Sequence, residues 1–309
     1  MRDGDGWVEC AQGHRHWGRF GAAGLLLHRP SHAGPGERGT GSSAGAVLLQ
    51  HRAAWSHHGG TWGLLGGARH SDEATVTAAL REAGEEGGLD AAAVKVHGEY
   101  VDAHGGWSYA TALARTAGDV PARPTGAESI DVTWVEVDDV EALPLHPGFA
   151  ESWPLLRPAL FPLRVVVDAA NVVGSRPDGW WRDRAGATRR LIGRCERLVT
   201  TGVVTEGLPG GLDLPVSARW WPAVTVVVEG AARPALDAAG PVAVHVAAGS
   251  GDDAIVDLVT AAMEGILVVT ADRHLRDRVR AAGATVIGPR WLNDLLDDLH
   301  SDLIEETAR

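Results

Sequence analysis

Apolar and polar positions along this chain follow two rhythms. Short apolar runs around Trp7–Cys10, Ala22–His28 and residues 45–52 predict strands, as do VKVHGEYVDA, WSYATALAR and DVTWVEV further on. Between them, residues 72–86 carry a helical period. Val76, Ala79, Leu80 and Ala83 fall on one arc, and Glu82, Glu85 and Glu86 on a neighbouring arc of about 100°. Ser71 or Asp72 is the expected cap, Asp72 and Glu73 suit the positive end, and Gly87-Gly88 stop the helix. One face packs while the other gathers carboxylates. The Gly/Ser/Pro-rich stretch from Arg29 to Ala44 has no apolar period and predicts a surface loop.

The second half has a rhythm of its own. RVVVD (164–168), VTVVVEG (224–230), VAVHVAA (242–248) and ILVVTAD (266–272) are β-branched runs, the pattern of strands buried on both faces. ATRRLIGRCERLV and DDAIVDLVTAAM read as helices between them, so a parallel sheet with crossover helices is expected. The proline-bearing segment between the halves predicts a boundary. The division is 1–150, a linker at 151–162, and 163–309.

Composition narrows the class. A chain of 309 residues with 45% apolar and 22% charged positions is long enough for two separate cores. The net charge of −12 argues against general nucleic-acid coating and against an acidic membrane surface. Cys10 and Cys195 show no metal-type or redox-type spacing, and no targeting or membrane-spanning stretch is visible. A reducing cytoplasm is the plain expectation. The sequence sets no oligomeric state.

Three carboxylates on one helical face repel one another, and a hard divalent cation such as Mg²⁺ or Mn²⁺ relieves that repulsion. Arg81 lies just outside the acidic arc, where it can hold one carboxylate in place. A solvated acidic face explains the glutamates alone, but not Gly67, Glu73 and Gly88 at their spacings. GARHSDEATVTAALREAGEEGGL (Gly67–Leu89) resembles the Nudix box, G-x5-E-x7-R-E-U-x-E-E-x-G-U with U apolar, at every specified position. Many Nudix members carry a proline before the paired glycines, and Leu65 stands there in this chain. The resemblance implies an α/β/α sandwich with a mixed sheet that hydrolyses a nucleoside diphosphate linked to a moiety X, using divalent metal. By position it implies Glu82, Glu85 and Glu86 as metal ligands, with the Gly67 carbonyl as a further one. Glu128, in the turn-rich segment before DVTWVEV, resembles the loop glutamate that serves as an extra ligand or general base; a plain surface glutamate is the alternative. Which glutamate is the base stays open. Ahead of the helix, Arg52, Trp55, His57, His58 and Trp62 can stack a base or hold phosphate, or the tryptophans can be core and the histidines exposed.

In the second half Asp168, Glu229 and Asp272 follow directly on strand ends, with Asp252-Asp253 just after another. At the carboxyl edge of a parallel sheet such acids can form a second divalent-metal site. RVVVDAANVVG, GSGDDAIVDLV and VVTADRHLRDRV resemble the NYN/PIN-like nucleases over about residues 163–298. That resemblance implies metal-assisted cleavage of RNA, with Asp168, Asp253 and Asp272 as ligands and Asn171 positioning the site. From Arg176 to Arg197 there are seven arginines against three acids, around Trp180-Trp181. Arg182 and Arg184 in this run suit single-stranded RNA; a solvated basic helix over buried tryptophans is the alternative. The expected function is a nucleotide pyrophosphohydrolase fused to a PIN-like ribonuclease domain. RNA-end processing or nucleotide sensing by the first domain is the alternative.

Overall fold

The computed structural model describes residues 3–31, 44–116, 120–212, 214, 218–230, 232, 240–261 and 266–307. Most of the segment expected as a surface loop, 32–43, lies outside them. The chain forms two compact units, Met1–Leu160 with Leu214–Ala218, and Phe161–Asp213 with Arg219–Arg309.

The first unit contains β1 (Trp7–Glu9), β2 (Arg15–Trp17), β3 (Ala22–Arg29), β4 (Ala46–Arg52), β5 (Trp62–Gly63), β6 (Leu65–Ala68), α1 (Thr75–Gly87), β7 (Lys95–Ala103), β8 (Ser108–Arg115), β9 (Ser129–Glu136) and α2 (Pro147–Leu156). Its sheet runs β7-β8-β3-β4-β5, with β6 also on β3 and β9 on β4. The sheet is mixed: β3 and β8 are parallel from Ala22↔Tyr109 to His28↔Arg115, and the other pairs are antiparallel. β3 is apolar at nearly every position because it is covered on both faces. Ala23, Leu25 and Leu27 join Ala78, Ala79 and Ala83 of α1 in one core. The alternate residues Leu26 and His28 point the other way and are equally buried. On that side the 3-10 turn Arg157–Leu160, which follows α2, contacts β8, and His97 Nε2 donates to Ala159 O at 3.1 Å. Residues 147–160, proline-bearing, thus fold as α2 and this turn, with Phe149, Trp153 and Leu156 buried. Each such side chain stabilises the unit by about 1.5–3 kcal/mol.

The helix start differs from expectation. α1 begins at Thr75 after the extended Ala74, with no side-chain cap and no acid in its first turn. Ser71 bonds Asp3 instead, and Glu73 is drawn to Arg81. The end is as expected, with Gly88 in the left-handed conformation (φ 68°) that glycine adopts without strain. The strand β2, too short to show a period, was not anticipated.

The second unit contains β10 (Arg164–Asp168), α3 (Ala169–Gly174), α4 (Arg184–Thr201), β11 (Val203–Val204), β12 (Ala218–Trp220), β13 (Ala223–Val228), β14 (Ala243–Val246), α5 (Gly251–Thr260), β15 (Ile266–Val269), α6 (Arg273–Ala281), β16 (Thr285–Ile287) and α7 (Pro289–Thr307). β14-β13-β10-β15-β16 form a sheet whose neighbours are all parallel, as the β-branched runs predict; the edge strand β16 is an addition. The strand order reverses direction beside β10, so β10 and β15 flank the switch point of the sheet.

Burial lowers the pKa of His97 from 6.5 to about 4, so it is neutral in the folded unit at pH 7. Between those values the unfolded chain takes up a proton that the folded one refuses, and stability falls as pH drops through this window. His97→Gln, which keeps a donor for Ala159, is expected to flatten this fall. Denaturant midpoints at pH 7 and pH 5 in both proteins check it.

Candidate functional site

The acidic face of α1 is built against the loop ahead of it. β6 pairs with β3 and delivers Gly66 and Gly67 beside the helix. The Gly66 amide donates to Glu86 Oε2 at 2.8 Å. Glu82 lies so close to Gly67 that an added Cβ would stand 2.8–2.9 Å from its carboxylate atoms, so a side chain at this position would displace that carboxylate. Glu82 is buried, Glu86 partly buried and Glu85 exposed.

Arg81 organises the remaining charges. Its Nε and Nη2 donate to the two oxygens of Glu73 at 2.7 and 2.8 Å. Nη1 reaches Glu82 Oε1 at 2.5 Å and Glu85 Oε2 at 3.4 Å, and Nη2 also donates to the Ala68 carbonyl at 3.1 Å. The bidentate arginine, helped by the His70 amide, holds the Glu73 carboxyl down at about 2. Glu86 shifts the opposite way. Burial, and then the nearby Glu82, raise it to about 7 against the pull of the Gly66 amide, Gln50 and Arg52. Oxygen donors alone converge here, which fits a hard divalent cation. Among the described residues these glutamates do not bring three donor atoms within 4.8 Å, because Arg81 holds Glu82 and Glu85.

The segment preceding β9 is fastened to the end of α1. Arg123 N donates to Gly87 O, Thr125 N to Glu86 O, and the Thr125 hydroxyl to Glu85 O. Glu128 follows in this segment. Its carbonyl accepts from Ala53 N at 2.8 Å, and its side chain is exposed. The next residue, Ser129, accepts from Gln50 Nε2 at 2.6 Å, and Gln50 is also a partner of Glu86.

A cleft of about 500 Å³ opens in the first unit, with Gly66 and Gly67 in its wall. Arg52, His57 and His58 line it as the sequence suggests. Trp62 does not; it stacks on His51 at 4.7 Å, and Trp55 is 68% exposed. Trp17, Trp107, Tyr109 and His146 take the aromatic places. None of these four was identified from sequence, because they come from strands and turns far apart in the chain. His146 meets His58 at 4.7 Å, and burial followed by the neighbouring His58, Arg52 and His57 lowers it to about 4.

In the second unit Asp168 is buried at the end of β10. It accepts from Asn171 N (3.1 Å), Asn171 Nδ2 (2.6 Å) and the Thr270 hydroxyl (2.8 Å). Asp272 caps α6 through Leu275 N, and Glu229 accepts from Gly251 N. Asp253 is not in this group. It pairs with Arg278 at 2.7 Å and is exposed, so its neighbour Asp252 takes its place. Burial, then Asp168 and Asp272, raise the pKa of Asp252. Among the described residues, these acids do not bring three donor atoms within 4.8 Å either. The arginine run also divides. Arg176 and Arg194 tie down Asn293 and Asp297 of α7, Arg184 lies 5.2 Å over the Trp180 ring, and Arg182 is exposed. Trp181 is exposed and Trp180 half-buried, so neither tryptophan is core.

Residues 38–156 match the family model described as "NUDIX domain". The chain is 47% identical over 171 residues to "Putative 8-oxo-dGTP diphosphatase 3" of Mycobacterium tuberculosis, covering 52% of this chain and 73% of that protein. It is 39% identical over 153 residues to a "Nucleoside triphosphate pyrophosphatase/Nudix hydrolase fusion protein" of Bifidobacterium longum, covering 49% of this chain and 30% of that one. Among solved structures, a Nudix hydrolase from M. smegmatis, RenU, is 48% identical. That likeness covers 52% of this chain and 98% of the other, with a TM-score of 0.46.

Arg81→Met is expected to destabilise the first unit by about 3 kcal/mol, because Glu73 and Glu82, each about a tenth exposed, lose their counter-charge. Glu73→Gln in the same background is expected to recover part of that loss. Urea midpoints of the single and double variants check it.

Proposed function

The chain belongs to the Nudix family of hydrolases, which act on phosphoanhydride bonds, and we propose that its first unit hydrolyses nucleoside triphosphates carrying an oxidised purine. The products are the nucleoside monophosphate and pyrophosphate. The observation that carries this reading is the acidic face of α1 packed against Gly66-Gly67 in the wall of an aromatic cleft of nucleotide size. The relative's name, an 8-oxo-dGTP diphosphatase, supports the substrate class.

Glu82, Glu85 and Glu86, with the Gly67 carbonyl, would hold Mg²⁺ or Mn²⁺. When bound, the ion supplies an activated water and neutralises phosphate charge. Gly67 leaves room for the Glu82 carboxylate, and Arg81 keeps Glu82 and Glu85 from collapsing onto other donors. Glu86, raised to about 7 by burial and Glu82, would join that ligand set as the carboxylate, so affinity for the ion would rise with pH. Glu128, exposed in the segment fastened to the end of α1, would be the carboxylate that takes the proton of the attacking water. Arg52, His57 and His58 would donate to phosphate oxygens, while Trp107 and Trp17 offer faces to the base.

A second reading concerns the second unit, as a PIN-like ribonuclease acting on single-stranded RNA. It is favoured by Asp168, Asp252, Asp272 and Glu229 gathering at the carboxyl edge beside the sheet's switch point. Asp168 and Asp272 would serve as ligands with Asn171 orienting Asp168, and Arg182 and Arg184 would meet the phosphates.

Chromatography of products from a nucleotide panel in Mg²⁺ tests the first reading. 8-oxo-dGTP is expected to yield monophosphate and pyrophosphate, with kcat at least about a thousandfold lower in Glu85→Gln/Glu86→Gln. Equal turnover in that variant, or no turnover of any triphosphate, sinks it. For the second unit, a labelled single-stranded RNA is expected to be cut by the wild type and spared by Asp168→Asn and by the less buried Asp252→Asn. Both variants are expected to keep nucleotide hydrolysis. Cleavage unaffected by either variant would remove the nuclease reading.

A further inference from the structure

The turn joining β1 to β2 gathers a donor set unlike the glutamates. Cys10 directly follows the first strand and is buried, His14 directly precedes the second, and His16 lies within it. Cys10 N donates to His14 O at 2.9 Å, and Gly13 (φ 80°) closes the turn. His104 arrives from the turn between β7 and β8, which is fastened to the hairpin by Ala11 N donating to Gly105 O at 2.8 Å. One donor atom from each of Cys10, His14, His16 and His104 lies within 4.8 Å of all the others.

Packing of rings is one account of the cluster, since His16 stacks on Trp107 at 4.0 Å. It leaves two atoms unexplained. His16 Nε2 and His104 Nδ1 are both buried, and neither has a hydrogen-bond partner. Such orphaned nitrogens cost about 1–3 kcal/mol each. His104 Nε2 is already engaged by Asp102 Oδ2 at 3.0 Å, the carboxylate–histidine arrangement that fixes a metal-binding tautomer and leaves the other nitrogen as donor.

We propose that Cys10, His14, His16 and His104 form a tetrahedral site for Zn²⁺ that clamps the β1–β2 hairpin to the β7–β8 turn. One thiolate with three imidazoles suits a borderline-soft ion, not the hard cation of the glutamate face. Bonds of about 2.0–2.3 Å put tetrahedral ligands about 3.3–3.8 Å apart, so movements of about 1 Å close the set. On binding, the Cys10 thiol releases its proton to solvent. His14, His16 and His104 also line the cleft, so the clamp fixes one of its walls. The inference does not depend on which nucleotide the cleft accepts.

The test is Co²⁺ titration of the chelator-stripped full chain with Mg²⁺ in excess, followed by optical absorption. One Co²⁺ per chain is expected, with intense tetrahedral d–d bands and a thiolate charge-transfer band, both erased by one equivalent of Zn²⁺. Cys10→Ser is expected to lose the charge-transfer band and His14→Ala, at an exposed position, to weaken the d–d bands, while Cys195→Ser changes neither. Weak octahedral bands, or imidazole-only bands in the wild type as His57, His58 and His146 would give, overturn the proposal. A spectrum unchanged in both the Cys10 and His14 variants also overturns it.

Discussion

The close approach of Glu82 to Gly67 is the constraint on which the first unit's site depends. A carboxylate seated against backbone with no side chain between them is buried, and a buried charge needs a partner. Arg81 supplies it, and in doing so binds Glu73 on the loop and Glu85 one helical turn on. Loop and helix therefore move as one body. The glycines, the arginine and Glu73 serve the positions of the carboxylates more than the chemistry itself.

Two opposite electrostatic environments stand side by side, one on the loop and one on the helix. Glu73 is held ionised by two parallel bonds from a guanidinium, whereas Glu86 is pressed toward its neutral form by burial and by Glu82. The same residue type is thus a fixed anion at one position and a proton reservoir at the other. Among the histidines of the cleft, burial lowers His146 to about 4 and shifts the more exposed His57 in the same direction.

Much of this was legible in the chain because it is local. The Gly67–Leu89 spacing encodes a loop, a helix and the contacts between them within one short stretch, and β-branched runs encode a parallel sheet. Ser71 and Asp72 do not cap the helix because it begins only at Thr75, with Ser71 bonded to Asp3 and Glu73 held by Arg81. Asp253 was preferred to Asp252 because a sequence does not show that Arg278, a turn up the next helix, captures one of two adjacent acids. Trp17, Trp107 and His146 were missed for a plainer reason. Strand pairing brings together residues from opposite ends of the unit, and no local period records it. Cys10 was set aside on spacing alone, although Cys10-x3-His14-x-His16 needs only one distant histidine to close.

The parallel pairing of β3 with β8 also governs how the unit can be made. Ala22 has Tyr109 as its partner across the strand, so the centre of the sheet is an early segment waiting for a late one. During synthesis β3 can find β4 and β6 soon after it emerges, but its remaining edge stays unpaired until β8 has left the ribosome. That edge belongs to AAGLLL, a run buried at every position. The nascent chain therefore carries a half-formed sheet from the synthesis of β3 until that of β8, and folding of the unit depends on how quickly that gap closes.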